Sequence, residues 1–378
     1  MAAVPVLFRS FPFLRWFAAA VAGRLTAAAA PIAMLVVGSV SYGSVSTGAR
    51  LAAVVSVAMA VFAPMQGRWM DLRGVSRGLR SALWLAGLAG VAMAAVVHLG
   101  LGAPWIELVA AALGFTLAII PAGFRALLTE IVDSGSLERA SNLDAVGFEI
   151  SLISAPLLVA AVTAVASPAT IFLVGAALTA VGAAAVPRGT GEGRRAGAGR
   201  RLRLPVPGIM VVGLLLGVSG GLLEPALFAR VEDIGRTESL AAVLLAVVGV
   251  GSALGGLAAS ARPLPASAAR WLLVFHGSAV AAVAFSDAPV TLGAWLLVAG
   301  VPIAPLMAVG ATVIDRRVAQ GQRSTAFALA GSAIALGTGI GQALAGWMLA
   351  TQPALGPMLA SAGLAVLTAA SLRPRRLP

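Results

Sequence analysis

The chain has 378 residues, of which 60% are hydrophobic and 11% are charged. Soluble domains contain roughly 45–50% apolar and about 25% charged residues, so a water-soluble fold cannot bury this much apolar surface. The chain has no Cys and all 26 basic residues are Arg, which excludes disulfides, thiolate metal sites, Lys Schiff bases and a P-loop. We therefore expect an integral membrane protein that needs no metal ion and no cofactor.

Twelve apolar stretches predict twelve transmembrane helices, because each crossing needs about 20 mostly apolar residues. These predicted spans 1 to 12 cover residues 14–37, 50–66, 79–99, 104–124, 143–165, 168–187, 206–228, 239–259, 270–286, 288–313, 325–349 and 354–371. A Gly-rich and Arg-rich segment at 188–204 divides them six and six. We expect an all-α membrane protein with an N-terminal six-helix bundle (1–187), a cytoplasmic basic linker (188–204) and a C-terminal six-helix bundle (205–378).

The two halves are predicted to be pseudo-symmetric. A shift of 185 residues places the hairpin of spans 4 and 5 on that of spans 10 and 11, so that Glu130 falls on Asp315. Parallel repeats about an axis along the membrane normal are typical of one large class of secondary transporter.

The Arg residues predict the orientation. With both termini inside the cell, 22 Arg lie in inside segments and three in outside loops, while Arg24 lies within span 1. One missed span would invert every later loop, so this bias supports an even number of crossings with cytoplasmic termini. It also assigns the net charge of +12 to membrane topology, not to binding of nucleic acid. The use of Arg without Lys, with abundant Ala, Gly and Pro, favours a GC-rich bacterial genome and a location in the cytoplasmic membrane.

The loop after span 2 carries the most specific local pattern, GRWMDLRGVSRGLR at 67–80. It resembles the signature G-x-L-x-D-R-x-G-R-R of the major facilitator superfamily, at the place where that family carries it. The resemblance implies that this loop latches the cytoplasmic side in one state. We carry that role onto Gly67, Asp71, Gly74 and Arg77, with Glu130 or Asp133 as partners of Arg77 and the start of span 11 facing Asp71. The alternative is a generic basic hairpin.

Span 5 contains GFEISLISAP at 147–156. This stretch is similar to the Gly-Pro antiporter motif of the drug-exporting branch of the same superfamily, with Ala155 in place of its Gly. The resemblance implies export of cargo.

Four ionisable residues lie within predicted spans: Arg24, Glu149, Glu224 and His276. A charge near the middle of a bilayer is costly unless it is paired or wet, so such residues are candidates for proton coupling and for lining a substrate cavity. We expect Glu149 to be the acidic partner of Arg24. The alternatives are a purely structural pair for Glu149, a position near the outer interface for Glu224, and a core histidine bonded to backbone for His276.

The combined pattern favours a proton-coupled secondary transporter, expected to be a monomer in the lipid bilayer, that exports a small amphipathic molecule by alternating access. A non-coupled facilitator or a membrane interaction protein with the same fold is the alternative. A membrane enzyme would need a cluster of nucleophiles or ligands, and the sequence offers none.

Overall fold

The computed structural model describes residues 11–133, 135–188, 207–261, 264–265, 267–318 and 323–372. In the first half the helices are α1 (Phe11–Val36), α2 (Val45–Arg73), α3 (Val75–His98), α4 (Trp105–Leu117), α5 (Ile120–Ile131), α6 (Leu137–Val165) and α7 (Pro168–Ala185). In the second half they are α8 (Pro207–Asp233), α9 (Glu238–Ala261), α10 (Ala268–Ala284), α11 (Pro289–Gly300), α12 (Ile303–Arg317), α13 (Arg323–Leu349) and α14 (Leu355–Ser371). The regular secondary structure of these ranges is entirely helical.

The helices match the twelve predicted spans. Within the described ranges, ten segments are long and apolar enough to cross a membrane, and α10 and α14 are shorter apolar helices. Span 6, predicted at 168–187, is α7, and span 12, predicted at 354–371, is α14. The prediction of an all-α, twelve-span membrane fold is confirmed. Most of the predicted linker, residues 189–204, lies outside the described residues.

Spans 4 and 10 are each broken into two helices, which the hydropathy pattern did not predict. Span 4 consists of α4 and α5, with Pro121 in the first turn of α5. Span 10 consists of α11 and α12, with Pro302 at the start of α12. A proline lacks the N–H that continues a helix and its ring crowds the preceding turn, so a helix ends or bends before it. The breaks fall in corresponding spans of the two halves, as a duplicated unit predicts.

The chain folds into two compact units. The first, unit 1, comprises residues 1–33 and 58–201, and the second, unit 2, comprises residues 34–57 and 202–378. In unit 1 the interior is formed by large side chains such as Trp16, whose indole N–H donates to the carbonyl of Phe124 at 2.9 Å. Glycines of α3 let this helix lie directly on α7, since a Cβ at Gly90 would come within 3.0 Å of the Phe172 carbonyl oxygen.

In unit 2, α8 packs directly against α13. A Cβ added at Gly217 of α8 would collide with the carbonyl oxygen of Ile334, and one added at Gly337 of α13 would collide with that of Leu214. The Gly spacing of four on these helices therefore forms a packing seam, as small residues do between membrane helices. Reciprocal hydrogen bonds between Ser219 of α8 and Ser361 of α14, at 2.8 Å and 3.1 Å, fix a third helix against the pair.

Candidate functional site

A buried ion pair joins α1 to α6 in unit 1. Arg24 Nη1 donates to Asp144 Oδ1 at 2.6 Å, and each side chain is only 4% exposed. The other guanidinium nitrogen, Nη2, lies 3.4 Å from the carbonyl oxygen of Pro121. The second carboxylate oxygen of Asp144 is 3.7 Å from Nε of Arg125, whose side chain is 65% exposed. Pairing of this kind is what makes a guanidinium tolerable at membrane depth.

The prediction that Glu149 is the acidic partner of Arg24 is therefore wrong, because Asp144 takes that place. Asp144 and Glu149 are five residues apart on α6, which is about 140° around a helix of 3.6 residues per turn. Asp144 shares the buried face with Gly147 and Ser151, whereas Glu149 lies on the exposed face. The spacing of small residues along this face is the sequence signal that would have identified Asp144.

Two aromatic rings flank the Arg24 guanidinium. Its carbon atom lies 6.0 Å from the ring centre of Phe124 and 5.6 Å from that of Phe148, distances at which cation–π attraction operates. Arg24 Nε is buried and has no hydrogen-bond partner among the described residues. The Arg24–Asp144 ion pair therefore lies in an apolar and aromatic environment, and the Nε–H of Arg24 makes no hydrogen bond to a described residue.

A second polar cluster at membrane depth lies in unit 2. The side-chain amide of Gln342 on α13 donates to Oε2 of Glu224 on α8 at 2.9 Å. The hydroxyl of Ser56 on α2 donates to Oε1 of Gln342 at 2.8 Å. Gln342 and Ser56 are buried and Glu224 is half-buried. We call Ser56, Gln342 and Glu224 the amide cluster.

No described basic side chain forms an ion pair with Glu224. The carboxylate is positioned by a neutral amide instead. It lies about 14 Å along α8 from the end at Asp233, at roughly 1.5 Å per residue. Gln342 and Ser56 were not predicted as site residues, because an uncharged side chain in an apolar stretch does not stand out in the sequence.

His276 is buried on α10, and its Nδ1 lies 2.8 Å from the carbonyl oxygen of Ala299 on α11. This is the arrangement of a core histidine that joins two helices. The geometry gives His276 a backbone partner and not an acidic one.

The signature loop turns sharply at Gly74, whose φ of +92° favours glycine. Arg77 is exposed, and no ion pair within 4.0 Å joins it to Glu130 or Asp133, so the pairing predicted from the family resemblance is not present. Gly67 lies in the last part of α2, and the side chain of Asp71 is outside the described residues.

The residues next to Arg77 contact the end of α7 instead. The Ser76 hydroxyl donates to the carbonyl of Pro187, and Arg80 Nη2 donates to that of Val186 at 3.0 Å. Arg15 of α1 donates to the carbonyl of Ala184, also at 3.0 Å. The last carbonyls of a helix lack internal partners and carry partial negative charge, so cations stabilise them.

No family model matches the sequence, and no curated protein matches it. Several solved structures, in contrast, are similar to this chain over most of its length. A D-xylose–proton symporter is similar with a TM-score of 0.70 and 14% identity, covering 96% of this chain and 97% of that one. The nucleoside transporter NupG gives a TM-score of 0.74 and 15% identity over 96% and 98%. A bacterial homologue of the human lysosomal transporter Spinster, inward-facing and occupied, gives 0.69 and 16% over 93% and 94%. The chain therefore has the fold of the major facilitator transporters.

Proposed function

We propose that this chain is a proton-coupled secondary transporter of the major facilitator type, which exports a small amphipathic molecule across a cytoplasmic membrane by alternating access. Its fold is that of solved proteins whose names describe a xylose–proton symporter and a nucleoside transporter. The human organic anion transporter MFSD10 is also similar, with a TM-score of 0.66 and 14% identity over 94% of this chain. The orientation, with both termini in the cytoplasm, follows from the distribution of Arg.

The observation that carries the coupling proposal is the difference between Asp144 and Glu224, two of the acidic residues at membrane depth. Asp144 is neutralised by Arg24 at 2.6 Å, so its protonation would leave a buried cation without a partner. Glu224 is held by the amide of Gln342, which compensates no charge. Glu224 can therefore gain or lose a proton without breaking an ion pair.

Protonation of Glu224 would also rearrange the amide cluster. The ionised carboxylate accepts a hydrogen bond from the Gln342 amide, whereas a protonated carboxyl has an O–H that must itself find an acceptor. Oε1 of Gln342, which accepts from Ser56, can serve as that acceptor. The proton on Glu224 is thereby linked to a bond that holds α2 to α13, and this link is the proposed coupling step.

The nature of the cargo and the direction of transport rest on composition and on span 5. Ala, Val and Leu dominate the spans, and a sugar or a strongly charged metabolite would require more hydrogen-bonding side chains. Export is inferred from the antiporter-like stretch at 147–156.

Glu149, exposed on α6, is the second candidate for proton exchange. The latch role of Gly67, Asp71, Gly74 and Arg77 is proposed on the family resemblance.

The test is transport by the purified chain in vesicles with an acidic lumen, at zero membrane potential. Three probes distinguish the cargo classes: ethidium as an amphipathic molecule, and D-xylose and uridine as polar ones. We expect ethidium to accumulate as protons leave. Glu224→Gln should abolish this accumulation and retain ethidium exchange between equal pools. Glu232→Gln, an exposed carboxylate on the same helix, is the matched control and should transport normally.

The other outcomes separate the alternatives. Accumulation lost with Glu149→Gln and kept with Glu224→Gln would transfer the coupling role to α6. Ethidium flux that is independent of the pH gradient would indicate a facilitator, and flux of xylose or uridine alone would contradict the amphipathic cargo.

A further inference from the structure

A groove separate from both polar clusters lies at the end of α12 in unit 2. It encloses about 270 Å³ and is lined by Leu264, Pro265, Val309, Thr312, Val313, Arg316 and Arg317. Sites for drug-sized ligands are usually larger, at roughly 300–1,000 Å³. The groove is therefore just below the usual lower limit for such sites, and it is large enough for the headgroup of a lipid.

The lining of the groove changes from apolar to basic side chains along α12. Val309 and Val313 form its apolar side, and the described charged side chains in it, Arg316 and Arg317, are both cations and both exposed. The Thr312 hydroxyl donates to the carbonyl of Ala308 at 2.9 Å, which leaves its oxygen free to accept a hydrogen bond. Such a lining suits a molecule with an anionic end, a hydroxyl and an apolar tail.

The groove lies at the depth of lipid headgroups. The apolar stretch Pro289–Ile314 is followed by Asp315 and then by Arg316 and Arg317, so both guanidinium groups follow the hydrocarbon-spanning part of the helix within one turn. In the first turn of α10, Arg270 lies 5.7 Å from the ring centre of Trp271, which is 69% exposed. Exposed Trp is enriched at membrane–water interfaces, which agrees with this depth.

We propose that this groove binds the headgroup of an anionic phospholipid, with the phosphate on Arg316 and Arg317 and the start of an acyl chain along Val309 and Val313. Guanidinium groups bind phosphate oxygens in pairs of parallel hydrogen bonds. Basic pockets between membrane helices bind such lipids by the same chemistry. Thr312 would accept a hydrogen bond from a glycerol headgroup. The site is independent of the amide cluster and of any coupling to protons.

The experiment titrates the detergent-purified full chain with dioleoyl-phosphatidylglycerol, with dioleoyl-phosphatidylcholine and with inorganic phosphate, and counts bound lipid by native mass spectrometry. We expect phosphatidylglycerol to bind in preference to phosphatidylcholine. Arg316→Gln with Arg317→Gln should weaken phosphatidylglycerol binding by about thirtyfold, since each Arg near a membrane surface strengthens the attraction of anionic lipid by about fivefold. Thr312→Phe, which occupies part of the groove and leaves the charge unchanged, should weaken phosphatidylglycerol binding as well.

A charge-matched pair, Arg139→Gln with Arg236→Gln, removes two exposed cations elsewhere and should leave binding unchanged. Equal loss in this control pair would show a bulk charge effect and overturn the site. Equal binding of both lipids to the unmodified chain, or unchanged binding in Thr312→Phe, would also overturn it. If inorganic phosphate displaces the lipid and depends on the same two Arg, the site takes free phosphate and the lipid assignment is wrong. The readout contains no transport step, so failure of the proposed coupling would not affect it.

Discussion

Asp144→Asn is predicted to destabilise the protein strongly through the buried Arg24. The substitution keeps the shape of the side chain and removes its charge, which leaves a guanidinium that is 4% exposed without an anionic partner. Two unit charges 4 Å apart interact by about 4 kcal/mol at an effective dielectric constant near 20. Removing one partner of a buried pair typically costs about 3–5 kcal/mol, so we expect a loss of about 3 kcal/mol in the free energy of unfolding.

The measurement is denaturant unfolding in detergent micelles followed by tryptophan fluorescence, since the chain has seven Trp and no Cys for a thiol dye. The matched control is Asp287→Asn. Asp287 is bonded to Arg230 and is 84% exposed, so its removal should cost less than about 1 kcal/mol. Replacing Arg24 and Asp144 together with Met and Leu should recover most of the loss, because an apolar pair of similar volume needs no charge compensation. Equal losses of unfolding free energy in Asp144→Asn and Asp287→Asn would show that burial of the charge does not determine the loss.

Three further predictions concern packing and backbone. Gly217→Ala should cost about 1–3 kcal/mol of unfolding free energy, because its Cβ would meet the backbone of the facing helix. Gly220→Ala, with nothing within 4 Å of its Cβ, should cost far less. Equal losses of unfolding free energy in the two variants would contradict the packing seam. Gly74→Ala should cost about 1–3 kcal/mol of unfolding free energy, because a φ of +92° strains any residue with a Cβ. Gly67→Ala should cost little, because its Cβ would be in ordinary contact with the Ile119 side chain at 3.7 Å. Thermal unfolding of both variants is the measurement. His276→Leu should lower the unfolding temperature and leave the pH dependence of transport unchanged, and a shifted pH profile would contradict its core role.

The membrane fold was predictable from the sequence because it follows from one-dimensional properties. An apolar run long enough to cross a bilayer is most stable within one, and the Arg bias predicts which side each loop occupies. Span 6 illustrates this, since 168–187 was predicted and α7 runs from Pro168 to Ala185. The helix breaks were not predicted. Pro121 lies inside predicted span 4, but the sequence does not show whether a proline bends a helix or ends it.

The site was predicted only in part because it depends on how helices face one another. Arg24 was identified by its charge and depth, but its partner depends on the phase of α6, which places Asp144 on the buried face and Glu149 on the exposed one. Gln342 was missed because its role exists only where α13 lies against α8. The glycines that permit this approach were visible in the sequence, and the polar contact they allow was not.

The proposed exchange of a proton at Glu224 can be tested directly by following proton movement. A pH-sensitive dye trapped in the acidic lumen of vesicles containing the purified chain reports proton release when ethidium is added outside. We expect alkalinisation of the lumen with the unmodified chain and with Glu232→Gln, and none above protein-free vesicles with Glu224→Gln. Alkalinisation by Glu224→Gln at the rate of the unmodified chain would show that another group carries the proton.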